Sequence, residues 1–211
     1  MSTYGTMLTR IAREMRRGDL TASSTAVGAA VRSAIQFYEN ERFFFTEFHG
    51  VEVSASSSAS YVPFSALGIT PVIFDSVKAV IGQRDYPLLE RNWNEIDGID
   101  SGQWYGYPDY YVLHGEEIRL YPPPNSNYTL TVSGVKKLTE ISLSPSASAT
   151  NAWMTDGEEM IRLKAKALLF RDELRAMDLA REFDTEAERS KKKVKRRTTS
   201  LAGSGRLTPR W

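Results

Sequence analysis

Few residue types in this chain could carry covalent or acid–base chemistry, and their spacing does not favour it. There are no cysteines and only two histidines, His49 and His114. That excludes disulfides, thiolate metal sites and a cysteine nucleophile, and a zinc site would need carboxylates at fitting spacing, which are missing. His49 stands beside Gly50 and His114 beside Gly115, so both read as solvated turn histidines. Glu116 and Glu117 are neighbours where alternation marks a strand; they would point to opposite faces and could not share a proton or flank a substrate. Glu95, Asp97 and Asp100 could gather a calcium ion, but the twelve-residue loop spacing is absent and the stretch reads as a polar loop. The sequence contains no nucleophile elbow, phosphate loop or dinucleotide fingerprint. A glycosidase-type pair drawn from distant loops leaves no local signature. We therefore expect no catalytic residue, no metal and no cofactor.

Two other clusters could act by binding. Trp104, Tyr105, Tyr107, Tyr110 and Tyr111 form an aromatic run. It suits a sheet core with a subunit interface, stacking on bases or sugars, or alternate residues facing opposite sides of one strand. Residues 189–197 hold seven basic side chains in nine positions. On a helix these charges surround the axis and leave no apolar face, so the stretch reads as a solvated helix end, a phosphate contact, or a dock for an acidic protein surface. The polar tail beyond it ends in Leu207, Thr208, Pro209, Arg210 and Trp211, and Trp beside Arg is an anchor-type pair.

The elements that would position these residues follow from periodicity. Residues 4–17 place Met7, Leu8, Ile11, Ala12 and Met15 on one helical face and Arg10, Arg13, Arg16 and Arg17 on the other, with Gly18 and Asp19 as a stop. Val27, Val31, Ile35 and Tyr38, beside Ala30 and Ala34, make the stripe of a second helix that Ser24 or Thr25 can cap. Two helices on so short a link are expected to pack antiparallel. After Asn40, Glu41 and Arg42 the period changes, and Phe43, Phe44, Phe45 and Phe48 follow, suited to a half-buried pleat. The helix is thus expected to run directly into a strand, with these four Phe as a structural hinge.

Further on, Val51 and Val53 alternate before a serine-rich stretch at 54–60, read as a hairpin tip or mobile loop. Val77, Ala79 and Ile81 mark a strand, and Pro87 is placed in the first turn of a short helix through Asn94. YYVLHGEEIRLYPPP reads as strand, tight turn at His114-Gly115, and strand; residues 128–134 return as another strand. Thr155 and Glu158 have capping-box spacing, and Ile161, Ala165, Leu168 and Leu169 give that helix a buried face. After a bend near Ala176, Leu179, Phe183 and Ala187 carry a last helix to about Ala187. Strands between two helical pairs imply an α+β fold. We expect a helical bundle from 1–40 and 151–188, an inserted small antiparallel β-domain at 41–150 projecting from one end, and a basic, flexible C-terminal arm at 189–211.

A hydrophobic fraction of 41%, nine Phe and four Trp can fill a core, and a net charge of +1 favours no partner by itself. No apolar run approaches the ~18 residues of a membrane span, and the first residues lack an apolar leader core. A soluble protein of a cytosol-like environment is expected.

Two N-terminal helices running into AIQFYENERFFFTE, then GYPDYYVLHGEEIRLYPPPNSNYTLTV, then NAWMTDGEEMIRLKAKALLF, together resemble the head-to-tail adaptor (connector or head-completion) proteins of short-tailed bacteriophages. The resemblance implies a structural virion protein, not an enzyme, at the head–tail junction, assembled in the host cytoplasm. It implies a dodecameric ring beneath the portal protein that extends the DNA channel and gives tail nozzle or fibre proteins a surface to bind. It also implies a C-terminal segment reaching along the portal, which here makes Lys191, Lys192, Lys193, Lys195, Arg196, Arg197, Leu201, Leu207 and Trp211 the portal-docking arm. The alternatives are a virion-associated peptidoglycan hydrolase and a plain nucleic-acid-binding protein; the hydrolase would show a deep cleft with convergent acids.

Overall fold

A computed structural model describes residues 3–16, 20–21, 25–57, 59–82, 84–97, 105–138 and 150–203. The fold is α+β. It divides into two compact units, residues 1–45 with 138–211 and residues 46–137.

In the first unit, helix α1 (Tyr4–Met15) starts at a reciprocal cap. The Thr6 amide donates to the Thr3 hydroxyl at 3.3 Å, and the Thr3 amide donates to the Thr6 hydroxyl at 2.7 Å. It ends sooner than its sequence suggests, because Arg16 turns left-handed (φ 52°) and its amide bonds back to the Arg13 carbonyl. Gly18 and Asp19, read as the stop, lie outside the described residues, as does Ser24. Helix α2 (Thr25–Tyr38) buries Val27, Ala30, Val31, Ala34 and Tyr38, the stripe that periodicity marks.

Phe43, Phe44 and Phe45 are not on a strand. Phe44 and Phe45 lie in a turn and Phe43 just before it, because Phe43 and Phe45 find a larger apolar surface in the helical core. There Phe43 is fully buried and both rings lie edge-on to Trp153, at 5.6 and 5.0 Å. Trp153 sits on α4 (Ala152–Thr155), capped by Asn151, whose side-chain oxygen accepts from the Trp153 amide at 3.0 Å. The Thr155–Glu158 capping box does not form. Thr155 hydrogen-bonds the Ala152 carbonyl and Asp156, and α5 (Glu158–Asp172) starts from Gly157 without a side-chain cap. Helix α5 is buried almost all round, with Met160, Ile161, Leu163, Ala165 and Leu169 in the core, and it packs on α1 and α2. A left-handed Arg175 (φ 51°) breaks the chain before the last helix, α6 (Met177–Gly203), which also packs on α5.

The second unit holds two four-stranded sheets. One has the order β1 (Glu47–Ala55), β8 (Tyr128–Lys137), β3 (Thr70–Ile81), β4 (Arg84–Pro87); the other has β2 (Tyr61–Pro63), β7 (Glu117–Tyr121), β6 (Tyr110–His114), β5 (Leu89–Glu90). All pairings are antiparallel except β5 with β6. Residues 54–60 are not a hairpin tip, since β1 pairs with β8 and β2 with β7; the segment carries the chain from one sheet to the other. Pro87 closes β4 instead of opening a helix, and the short helix α3 (Trp93–Asp97) follows later. The β6–β7 hairpin turns through Gly115 and Glu116, both with φ 61°, the mirror-image turn that matches strand twist. Glu116 is thus a turn residue and only Glu117 is on the strand. Alternation along β8 buries Leu130 and Val132 against Val53, Val77, Ile118 and Leu120. Phe48 belongs to this second core. Among the described residues no helix is long and apolar enough to cross a membrane.

Two substitutions test this packing. A Cβ at Gly134 would stand 2.0 Å from the Ile73 carbonyl oxygen, so Gly134→Ala should destabilise by at least the ~1–3 kcal/mol of core overpacking. Phe43→Ala should cost roughly 3–5 kcal/mol in urea unfolding, and half-exposed Phe44→Ala clearly less. Equal losses at the two Phe positions would contradict the burial described.

Candidate docking surface

The basic stretch lies on α6, which does not stop near Ala187 but runs 27 residues through Gly203. The sequence reading that no face remains to pack is corrected here. Ala187, Ser190 and Thr198 are buried, and Val194 packs on the core of the first unit. Small residues at i, i+3, i+7 and i+11 leave room for lysine stems to lie along the body while their ammonium groups reach acids.

Glu41 is the main partner. Lys191 Nζ lies 3.1 Å from Glu41 Oε1 and 2.8 Å from Glu188 Oε2, and Lys195 pairs with Glu41 Oε2. Burial alone would push the Glu41 carboxyl up, but Lys195 and Lys191 together hold it below its ordinary range. For Lys191 burial disfavours the charge, yet Glu188 and Glu41 raise its pKa above the usual lysine value. Arg197 reaches Asp156 at 3.3 Å and lies 4.3 Å over the Phe44 ring. The Thr198 hydroxyl accepts from the Phe44 amide at 3.0 Å and donates to the Val194 carbonyl at 3.2 Å. Ser190 donates to Glu159 at 3.1 Å, and Lys193 is 3.8 Å from the same carboxylate.

Two buried lysines of α5 extend the pattern. Lys164 pairs with Asp184 of α6 at 2.6 Å and sits over the Phe37 ring. Lys166 pairs with Glu14 of α1 at 2.8 Å, and Arg162 meets the same oxygen at 2.6 Å. Burial would raise the Glu14 carboxyl, and these two cations outweigh it and lower it. The Tyr38 hydroxyl is buried and its pKa is raised, first by burial and then by Glu188 and Asp184.

The basic run therefore splits. Lys191, Lys195 and Arg197 point at acids of their own unit. Lys192 and Arg196 are exposed, as is Arg189, and among the described residues none of the three has an ion-pair partner. Leu201 is on the backbone of α6; Leu207 and Trp211 lie outside the described residues. The four Phe named as a hinge are divided, with Phe43 and Phe45 in the first core and Phe48 in the second. Glu41, Asp156 and Glu159 escaped selection from sequence, although Lys191 and Lys195 at i, i+4 share a helix face and so could share one carboxylate.

The other chemistry-bearing residues do not converge. His49 is exposed, 4.0 Å from Glu47, and His114 stacks on Trp93 at 4.6 Å. Tyr111 is buried and donates to Glu90 at 3.3 Å; burial and then the Glu90 charge push its pKa up to about 12. Tyr110 lies under Arg91, Tyr105 and Tyr107 are exposed, and Trp104 and Asp100 lie outside the described residues. Among the described residues no three His, Cys, Asp or Glu side chains are grouped to hold a metal ion.

A family model, SU10 adaptor protein, matches residues 2–210, and the chain belongs to that family of phage adaptors. Its role is structural, within the virion, in association with portal and tail components. No match to a curated protein was found.

The lowered carboxyls set an acid limit. Glu14 and Glu41 lie below the ordinary 4.5 when folded, so the stability they add is complete above that value and lost as pH falls through the lower folded values. The melting temperature should fall on acidification from about pH 6 to about pH 3. Glu41→Gln should start lower at neutral pH and show a flatter acid limb. Parallel acid limbs for the two proteins would show that the Glu41 contacts do not hold α6.

Proposed function

We propose that the chain is one subunit of a ring, a dodecamer by its resemblance, beneath the portal of a short-tailed phage. The ring extends the DNA channel and gives tail nozzle or fibre proteins their attachment surface. The observation that carries this reading is the adaptor-family match over residues 2–210, which runs from the first helix through the basic helix and nearly to the end of the chain. Ring closure needs two different complementary faces per subunit. The free subunit is a monomer or weak oligomer in the host cytoplasm, and the ring forms on the portal.

The segment from Arg189 to Trp211 is the portal-docking arm in this reading. Leu207 and Trp211 offer its apolar anchors. The four Phe of 43–48 act as the structural hinge between helical and sheet parts.

Electron microscopy of the protein mixed with its portal tests the proposal. Rings seated on the portal vertex are expected from the mixture, and particles with bare portals at saturating protein would overturn it. Deleting residues 204–211, which removes Leu207 and Trp211 but leaves α6, should abolish portal binding with a nearly unchanged melting curve. Undiminished portal affinity in that truncation would remove the arm from the reading.

A further inference from the structure

We infer that the outer stripe of α6 is a nucleic-acid phosphate contact, independent of base sequence, formed by Arg189, Lys192, Lys193 and Arg196. These residues recur at i, i+3, i+4 and i+7, which places them on one face of a helix. All four are exposed. They lie opposite the stripe of Ala187, Lys191, Val194 and Thr198 that packs on the body. The opposite stripe is neutralised by Glu41, Glu188 and Asp156. Among the described residues Arg189, Lys192 and Arg196 have no ion-pair partner, and Lys193 lies 3.8 Å from Glu159. Roughly two turns of helix, about 10 Å, therefore carry a concentrated positive charge that the fold does not use.

The composition of the stripe selects its partner. The core of a protein–protein interface is depleted in Lys and built on aromatic and apolar anchors. Here the positions continuing the stripe are Thr199 and Ser200, both exposed. Arg, Lys, Ser and Thr are the side chains that meet phosphate oxygens, and they fix position without reading sequence. The footprint is bounded. Glu182 and Glu186 lie on the preceding turns of the same helix, exposed, and would repel a polyanion laid along its whole length. Contact is thus confined to the C-terminal half of α6.

The inference deepens the adaptor reading but is tested on the free protein, so failure to form a ring and failure to bind DNA are separate results. A fluorescent random-sequence duplex is titrated with the full chain at several salt concentrations. Three or four phosphate contacts should weaken binding roughly 40- to 150-fold between about 50 and 200 mM salt, with no preference between unrelated duplexes. The double variant Lys192→Ala, Arg196→Ala should reduce the slope of log affinity against log salt by about two. Arg13→Ala with Arg84→Ala removes the same charge from exposed positions off the stripe and should leave that slope unchanged. Circular dichroism melts of both variants confirm that each is folded. Equal slopes for the stripe variant and the wild type, or no salt-dependent binding, overturn the inference. Binding of polyglutamate tighter than duplex, lost in the stripe variant, overturns it in favour of an acidic protein surface.

Discussion

A helix as charged as α6 can lie against a folded body only where every cation turned inward meets an acid. Glu41 meets that condition for two of them at once. Removing a lysine from water is unfavourable unless it is paired and hydrogen-bonded, and Lys191 and Lys195 project from one face, a turn apart, onto the same carboxylate. Glu41 stands just after α2, so the bond ties the last helix to the second across 150 residues of sequence. Breaking one partner of such a pair leaves the other charge stranded, and the helix then loses both attraction and fit.

The same rule governs α5. A helix buried on nearly all sides is ordinarily apolar all round, yet Lys164 and Lys166 sit inside it, two residues apart and pointing different ways. Each is aimed at a carboxylate on a different neighbour, Asp184 of α6 and Glu14 of α1. Apolar packing alone would allow α1 and α6 to slide along α5. Fixed charge pairs on two sides set their register, a use of buried ions better attested than raw stabilisation. In the sheet unit register comes from different means, a shift in the β3–β8 pairing near Phe74 and a glycine, Gly134, where the Ile73 carbonyl leaves no space for a side chain.

Helix faces built from apolar spacing were legible: the stripes of α1 and α2 and the strand alternation of β8 appear where periodicity puts them. So was the β6–β7 hairpin, since a two-residue turn with Gly is a local event. The misread elements depend on partners distant in sequence. Residues 54–60 look like a hairpin tip because neighbouring strands usually pair, but here each neighbour finds a better edge in another sheet. The Phe triplet has strand propensity, and Trp153, over a hundred residues away, draws Phe43 and Phe45 into a helical core instead. Counting charges around α6 missed that an ammonium group on a long stem can be satisfied by an acid far along the chain.

The division of α6 into inward and outward cations lets one basic run serve two ends. Lys191 is largely covered, so its pairs are screened weakly by salt, whereas the outer cations face solvent and are screened within a Debye length of about 8–10 Å. Raising ionic strength should therefore silence the outer stripe long before it loosens the inner clasp. The two sets are also separated by geometry, since residues three or four apart share a face while those two apart do not. Lys191 and Lys195 can be spent wholly on folding because Lys192 and Arg196 are held away from the same acids by the helix itself. Melting one turn would erase that separation and let Glu41 compete for either set, so the length and continuity of α6 are what keep binding charge distinct from structural charge.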